Sequence, residues 1–270
     1  MDVLSNVATA TGIQTEPVEA GGEGSPALSD LPVLSAEELR SLEASAPFSA
    51  PSAAELLHAV GKLMQPRWRQ FYRETARLAP ANRYQGALAL GALLTDIVLA
   101  SQARDPQQVR NLLQDIEGLE RMLGVGQQTR PRFSRLQLLA EAGEWETLRR
   151  EADAAATELG GALSRLRDTD LTRIIPLGGW LRGLQLDADI RRQDVSKGGQ
   201  PLGLESHFLE WIRSQLESLS EAARQERILI LCSRTVEFLA GLQIQETGAK
   251  EQNNAVSEAL GDLMNRLHAS

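Results

Sequence analysis

The stretch PQQVRNLLQDIEGLERML, residues 106–123, decides the fold class. Val109, Leu112, Leu113, Ile116, Leu119 and Leu123 recur at steps of three and four. On a 3.6-residue turn that spacing gathers them into one apolar stripe facing a core. The ends carry matching chemistry. Asp105 can accept from a free backbone amide, Pro106 suits a first turn where its missing donor is not needed, and Gly124 supplies the left-handed stop.

Working outward, most of the chain beyond residue 50 follows the same rule. Trp145, Leu148, Ala152, Ala155, Leu159, Ala162 and Leu166 alternate steps of three and four, a period suited to long antiparallel helix packing. Residues 204–219 and 256–267 are equally amphipathic. Ser35-Ala-Glu-Glu38 and Ser52-Ala-Ala-Glu55 are capping boxes, in which the serine oxygen and the glutamate carboxylate each satisfy a backbone amide at a helix start. No stretch alternates with a period of two and β-branched enrichment, so no sheet is expected.

The pattern predicts an all-α protein: an antiparallel multi-helix bundle or a short, solenoid-like array of helical hairpins, with about ten helices. They fall at roughly 35–45, 52–64, 67–79, 83–103, 106–123, 127–141, 144–166, 169–192, 204–221 and 223–245, with a further one near 250–268. Residues 1–34, rich in Gly, Pro, Ser and acids, have too little apolar surface to offset the entropy of ordering and are expected to form a disordered leader. The loop SKGGQPLG at 196–203 divides a helical body, 35–195, from a C-terminal three-helix unit, 203–270, expected to pack on it.

One segment, LLAEAGEWETLRREADAA at 138–156, resembles the turn between the helices of tetratricopeptide-type repeats. The resemblance covers a single hairpin. The roughly 34-residue pattern of that family does not recur at fixed spacing, so the family is not assigned.

Charge is placed unevenly. The formal net charge is -8, but residues 1–50 hold eight acids against Arg40 alone, which leaves the other 220 residues at -1. The acidic leader disfavours nucleic acid and anionic membranes. The near-neutral body does not, although its arginines mostly have acids within a turn. The longest apolar run, Ala87 to Ala100, contains Thr95 and Asp96 and is shorter than the roughly 20 residues a membrane span needs, so it is expected as a buried helix. The N-terminus lacks a basic region followed by an apolar one, which makes the cytoplasm the default compartment; an extracytoplasmic one follows if residue 1 stands after a removed signal. Cys232, the single cysteine, forms no internal disulfide and sits in an apolar run as a small core residue.

Catalytic side chains are scarce. The three histidines, His58, His207 and His268, form no metal-binding pair. Glu55-x-x-His58 matches one element of a carboxylate-bridged metal site, but no second copy exists, and capping explains Glu55. No nucleophile elbow or phosphate loop occurs. Neither a cofactor nor a metal is expected. PRWRQFYRETAR, 66–77, mixes bases with aromatics; on a helix Arg69, Arg73 and Arg77 form a solvated stripe opposite Trp68, Phe71, Tyr72 and Thr75.

The stretch LTRIIPLGGWLRGLQLDADI, 171–190, stands out more. Pro176 should kink or restart its helix, and Gly178, Gly179 and Gly183 thin one side at a cost of roughly 1 kcal/mol each relative to alanine. Two readings follow. Either a neighbouring helix crosses tightly at the glycine face with Trp180 in the core beside it, or Pro176, Gly179, Trp180, Arg182 and Gly183 line a groove for a partner or ligand. The functional expectation is a non-enzymatic protein-binding or scaffolding module with a protein partner. The alternative is a helical enzyme or small-molecule sensor with its site at the Pro176–Arg182 kink.

Overall fold

Local capping chemistry starts and stops the helices largely where the sequence places it. The computed structural model describes residues 52–73, 79–193, 199, 201–202, 204, 206–244 and 248–267. The expected leader, the Ser35 capping box, the first expected helix and His268 lie outside these residues. Among the described residues there are ten α-helices, one 3₁₀ turn and no strand. In chain order they are α1 (Ala53–Met64), the 3₁₀ turn Trp68–Phe71, α2 (Arg83–Gln102), α3 (Pro106–Leu123), α4 (Gly126–Ala142), α5 (Trp145–Arg165), α6 (Thr169–Gln193), α7 (Ser206–Glu217), the four-residue α8 (Glu221–Arg224), α9 (Arg227–Ile244) and α10 (Ala249–Arg266). The Ser52 capping box closes with both hydrogen bonds, Glu55 N to Ser52 Oγ at 3.2 Å and Ser52 N to Glu55 Oε2 at 2.7 Å. Asp105 accepts from Gln108 N at 3.1 Å, and Gly124 ends α3 at φ 75°.

Helices α2 and α6 form the central pair. They run in the same direction: Arg83 meets Asp168 near their starts, the Leu88 carbonyl faces Gly178, and Asp96 meets Arg182 further along. The up-and-down sequence α2 to α6 brings them parallel, with α3 and α5 against α2. Pairs between Trp180 and Phe208 and Arg173 and Gln215 show α7 antiparallel to α6, and Asp189 with Ser257 and Gln185 with Gly261 show the same of α10. Helix α2 is buried on every side, and α6 touches helices far from it in sequence, as in a bundle rather than a solenoid whose repeats meet only their neighbours. The described residues fall within one compact unit, and α7 to α10 continue the core built around α6.

Apolar composition alone makes α2 long and apolar enough to cross a membrane, but 94% of the relevant window is buried by the surrounding helices. The apolar stripe of α3 is buried at all six expected positions. On α5 the stripe holds from Leu148 to Ala162, whereas Leu166, just past the helix end, is 52% exposed.

The central crossing is a backbone contact. A Cβ added at Gly91 of α2 would lie 1.9 Å from the Ile175 carbonyl oxygen, and one at Gly178 would lie 2.1 Å from that of Leu88. Thr95 Oγ1 donates to the Gly179 carbonyl at 3.0 Å across the same seam. Gly183 serves a second neighbour, with Leu56 Cδ2 of α1 only 3.2 Å from where its Cβ would stand.

Three expectations are corrected. Of the kink or restart expected at Pro176, the restart does not occur: α6 runs unbroken through it, with the proline ring exposed. The helix gives up one bond to the Thr172 carbonyl while its opposite face stays clamped on α2. Residues 68–73 are not an α-helix either. Trp68–Phe71 is a 3₁₀ turn and Tyr72 is extended at ψ 137°, because the Phe71 carbonyl accepts from Arg182 Nη2 at 2.8 Å and Arg73 turns inward to Asp96. Only Arg69 of the expected stripe is solvated as foreseen; Arg77 and Thr75 lie outside the described residues. Finally, the helix expected at 223–245 is broken near its start. Ser220 caps α8 through Ala223 N at 3.2 Å and is itself held by Asp170, so α9 begins only at Arg227.

A Gly178→Ala substitution must push two helix backbones apart and is expected to cost about 3 kcal/mol or more. Gly118→Ala, where nothing lies within 4 Å, is expected to stabilise by about 1 kcal/mol. Urea unfolding of the two variants beside the parent checks both signs.

Candidate functional site

Below the glycine seam lies a charged centre. Asp96, on the α2 face turned to α6, receives Arg182 Nε at 2.8 Å and Arg73 Nε at 3.0 Å. Arg182 is 1% exposed and fully engaged: its Nη1 reaches Gln185 Oε1 at 2.7 Å and its Nη2 the Phe71 carbonyl. Burial by itself would raise the Asp96 carboxyl, but the Arg182 and Arg73 guanidiniums outweigh it and hold the group below the usual carboxylate range. A second buried pair sits further along α6, where Asp187 accepts Arg191 Nε at 2.6 Å and Leu202 N at 2.5 Å.

The residues singled out in the 176–183 stretch therefore take structural positions. Gly179 is against Gly91 and Thr95, and Gly183 is against α1. Trp180, 5% exposed, packs on Phe208 with ring centroids 4.2 Å apart and on Trp211 at 6.4 Å. Arg182 belongs to the charged centre, and Pro176 alone faces outward. The glycine face is filled by α2 and α1 instead of opening to solvent. Cys232 is buried, and burial pushes its thiol up to about 12, which leaves it without nucleophilic character near neutral pH. His58 is exposed, and Glu55 beside it is used as a cap. Among the described residues no group of three His, Cys, Asp or Glu side chains is arranged to hold a metal ion.

An open cleft of about 830 Å³ lies instead between α3 and α4. Its floor is Leu113 and Phe133, and its walls carry Gln114, Gln127, Ser134 and Gln137 among charged groups. Three links tie the antiparallel walls, two exposed and the last buried: Arg110 to Glu141 at 3.2 Å, Arg130 to Glu117 at 3.4 Å, and the Thr129 hydroxyl to Glu120 near the Gly124 turn. Glu120 is 3% exposed; burial, with Glu117 adding to it, pushes its carboxyl up to about 7. The hydroxyl of Thr129 also reaches the Val125 carbonyl at 3.0 Å. The cleft residues recur at helical spacing on both walls. The sequence signal was present in the glutamine-rich runs around 107–114 and 127–137, but an amide stripe has no meaning until a second helix faces it.

Comparison with family models, curated proteins and solved structures finds no match for the chain. Function therefore rests on the chemistry of the surfaces just described.

Removing the Asp96 charge strands two guanidiniums, and Asp96→Asn is expected to lose about 3–5 kcal/mol of stability. The stabilisation from Asp96 is present above the pKa the group has when unfolded and is lost as pH falls through its depressed folded value. Glu120 has the opposite sign: its folded pKa is raised, so the folded state binds the proton more tightly. Stability is expected to fall as pH rises from about 4.5 to about 7. Glu120→Gln should remove that slope in denaturant titrations taken at several pH values.

Proposed function

We propose that this protein is a non-catalytic helical binding module that takes a peptide segment of a protein partner in the α3–α4 cleft. The observation that carries this reading is the set of three glutamines, Gln114, Gln127 and Gln137, over an apolar floor. Gln114, Gln127 and Gln137 each offer a donor and an acceptor, as the backbone of an extended or helical segment requires, while Leu113 and Phe133 supply apolar contact. Helix α4 also lies at the edge of the bundle, packed on α3 and α5, and Leu138 on it is 66% exposed. The ionisable groups of the interior support a binding role over a catalytic one, since Asp96 and Arg182 are saturated by each other and by fixed neighbours.

A photo-crosslinking residue placed at Gln114 or Gln137 is expected to capture a discrete protein partner in the native host. The same residue at Arg213 on α7 should not. Capture should weaken when Phe133→Ala or Gln127→Glu is combined with the probe. Equal capture from Arg213, or none from the cleft positions, would overturn the assignment.

A further inference from the structure

A second cleft, of about 630 Å³, opens where the start of α2, one face of α9 and the end of α10 converge. It is separate from the α3–α4 cleft and shares no residue with it. Three arginines line it: Arg227 and Arg234, seven residues apart on one face of α9, and Arg266 from the last turn of α10. No acidic side chain is among its lining residues, and none of the three guanidiniums has an ion pair among the described residues. The buried Arg182 and Arg191 and the half-buried Arg73 and Arg132 are each matched to a carboxylate. Single arginines without an ion pair among the described residues, such as Arg213 and Arg224, occur elsewhere on the surface, but here three line one concave wall.

The walls are fixed by groups other than these arginines. Gln85 is buried; its Oε1 accepts from Ala81 N at 3.0 Å, and its Nε2 donates to the carbonyls of Arg266 at 2.9 Å and Leu267 at 3.2 Å, tying α2 to the end of α10. Asn82 caps α2 through Gln85 N at 2.9 Å and donates to Glu226 Oε2 at 2.8 Å, tying α2 to the start of α9. The Glu226 carboxylate is thereby engaged by an amide at the wall. Arg227 opens an 18-residue helix, so the positive end of that helix adds to the field. Beside the charges lie Ile228, Ile230 and Leu231, with Ile230 39% exposed.

We propose that this cleft binds a small amphiphilic anion, its phosphate or carboxylate head held by Arg227, Arg234 and Arg266 and its apolar portion laid on Ile230 and Leu231. Three like charges brought together on a concave wall repel one another, and an anion relieves that repulsion while gaining charge-assisted hydrogen bonds. The volume suits a ligand of small-molecule size, and because side-chain amide hydrogen bonds already hold the walls, ordering on binding is confined to the arginine side chains.

Octyl phosphate, octanoate and inorganic phosphate, titrated separately into the full chain by calorimetry, provide the test. Octyl phosphate or octanoate is expected to bind at a single site, more tightly than inorganic phosphate, and the tighter of the two identifies the head group. The double variant Arg227→Gln, Arg234→Gln should weaken binding roughly tenfold or more with an unchanged melting temperature, because both side chains are exposed. Arg213→Gln, on α7 and outside the cleft, should leave binding intact. Absence of binding by both amphiphiles at about 1 mM, equal binding by the double variant, equal loss in Arg213→Gln, or inorganic phosphate binding as tightly as either amphiphile would each overturn the proposal.

Discussion

The approach of α2 and α6 to backbone contact is the constraint on which the remaining packing rests. Close approach needs a missing Cβ on both sides, and Gly91, Gly178 and Gly179 provide it. Glycine inside a helix weakens that helix in isolation, so these positions are tolerable only because the crossing returns dense contact along both backbones. Once the pair is set, α2 becomes a helix buried on every side, α1, α3, α5, α7 and α10 pack against one member of the pair or the other, and α4 is added outside them on α3 and α5. An apolar helix that would otherwise suit a membrane becomes the axis of a bundle.

The crossing also brings polar groups together where water is excluded. Asp96 and Arg182 come from the two central helices, and Arg73 arrives from the chain between α1 and α2. A buried ion pair adds little net stability against a well-packed apolar alternative, because both charges lose their hydration. Its consequence is register: a sliding of α2 along α6 leaves a buried charge unmatched. The same centre reshapes its surroundings, since Arg182 takes the Phe71 carbonyl and Arg73 turns inward, leaving a 3₁₀ turn and an extended residue where local pattern favours a helix.

Outside this interior, two clefts among the described residues differ in character. Between α3 and α4 two ion pairs cross between the walls and three glutamines stand beside Leu113 and Phe133, the features on which the proposed peptide site rests. Beside α9 the arginines lack acidic partners and sit against isoleucine and leucine, which favours an anion with an apolar portion. Neither cleft coincides with the 176–183 stretch that composition made conspicuous, because the glycines there are consumed by helix contact.

Much of the helical plan is determined by the sequence itself, because its causes are local. The α3 stripe, the Asp105 cap, the Gly124 stop and the Ser52 box act within a few residues of one another, so reading them needs no tertiary knowledge. The glycine face of α6 was legible as a crossing, but not its partner: Ala87 to Ala100 is apolar all round, and Gly91 carries no periodic mark. What tertiary structure alone decided are contacts between residues far apart. Arg182 and Phe71 are 111 positions apart, Asp96 and Arg182 are 86 apart, and Gln85 reaches the Leu267 carbonyl across 182. The two clefts belong to the same class, since each is made by faces of separate helices whose rotation is set by how they seat around the α2–α6 pair.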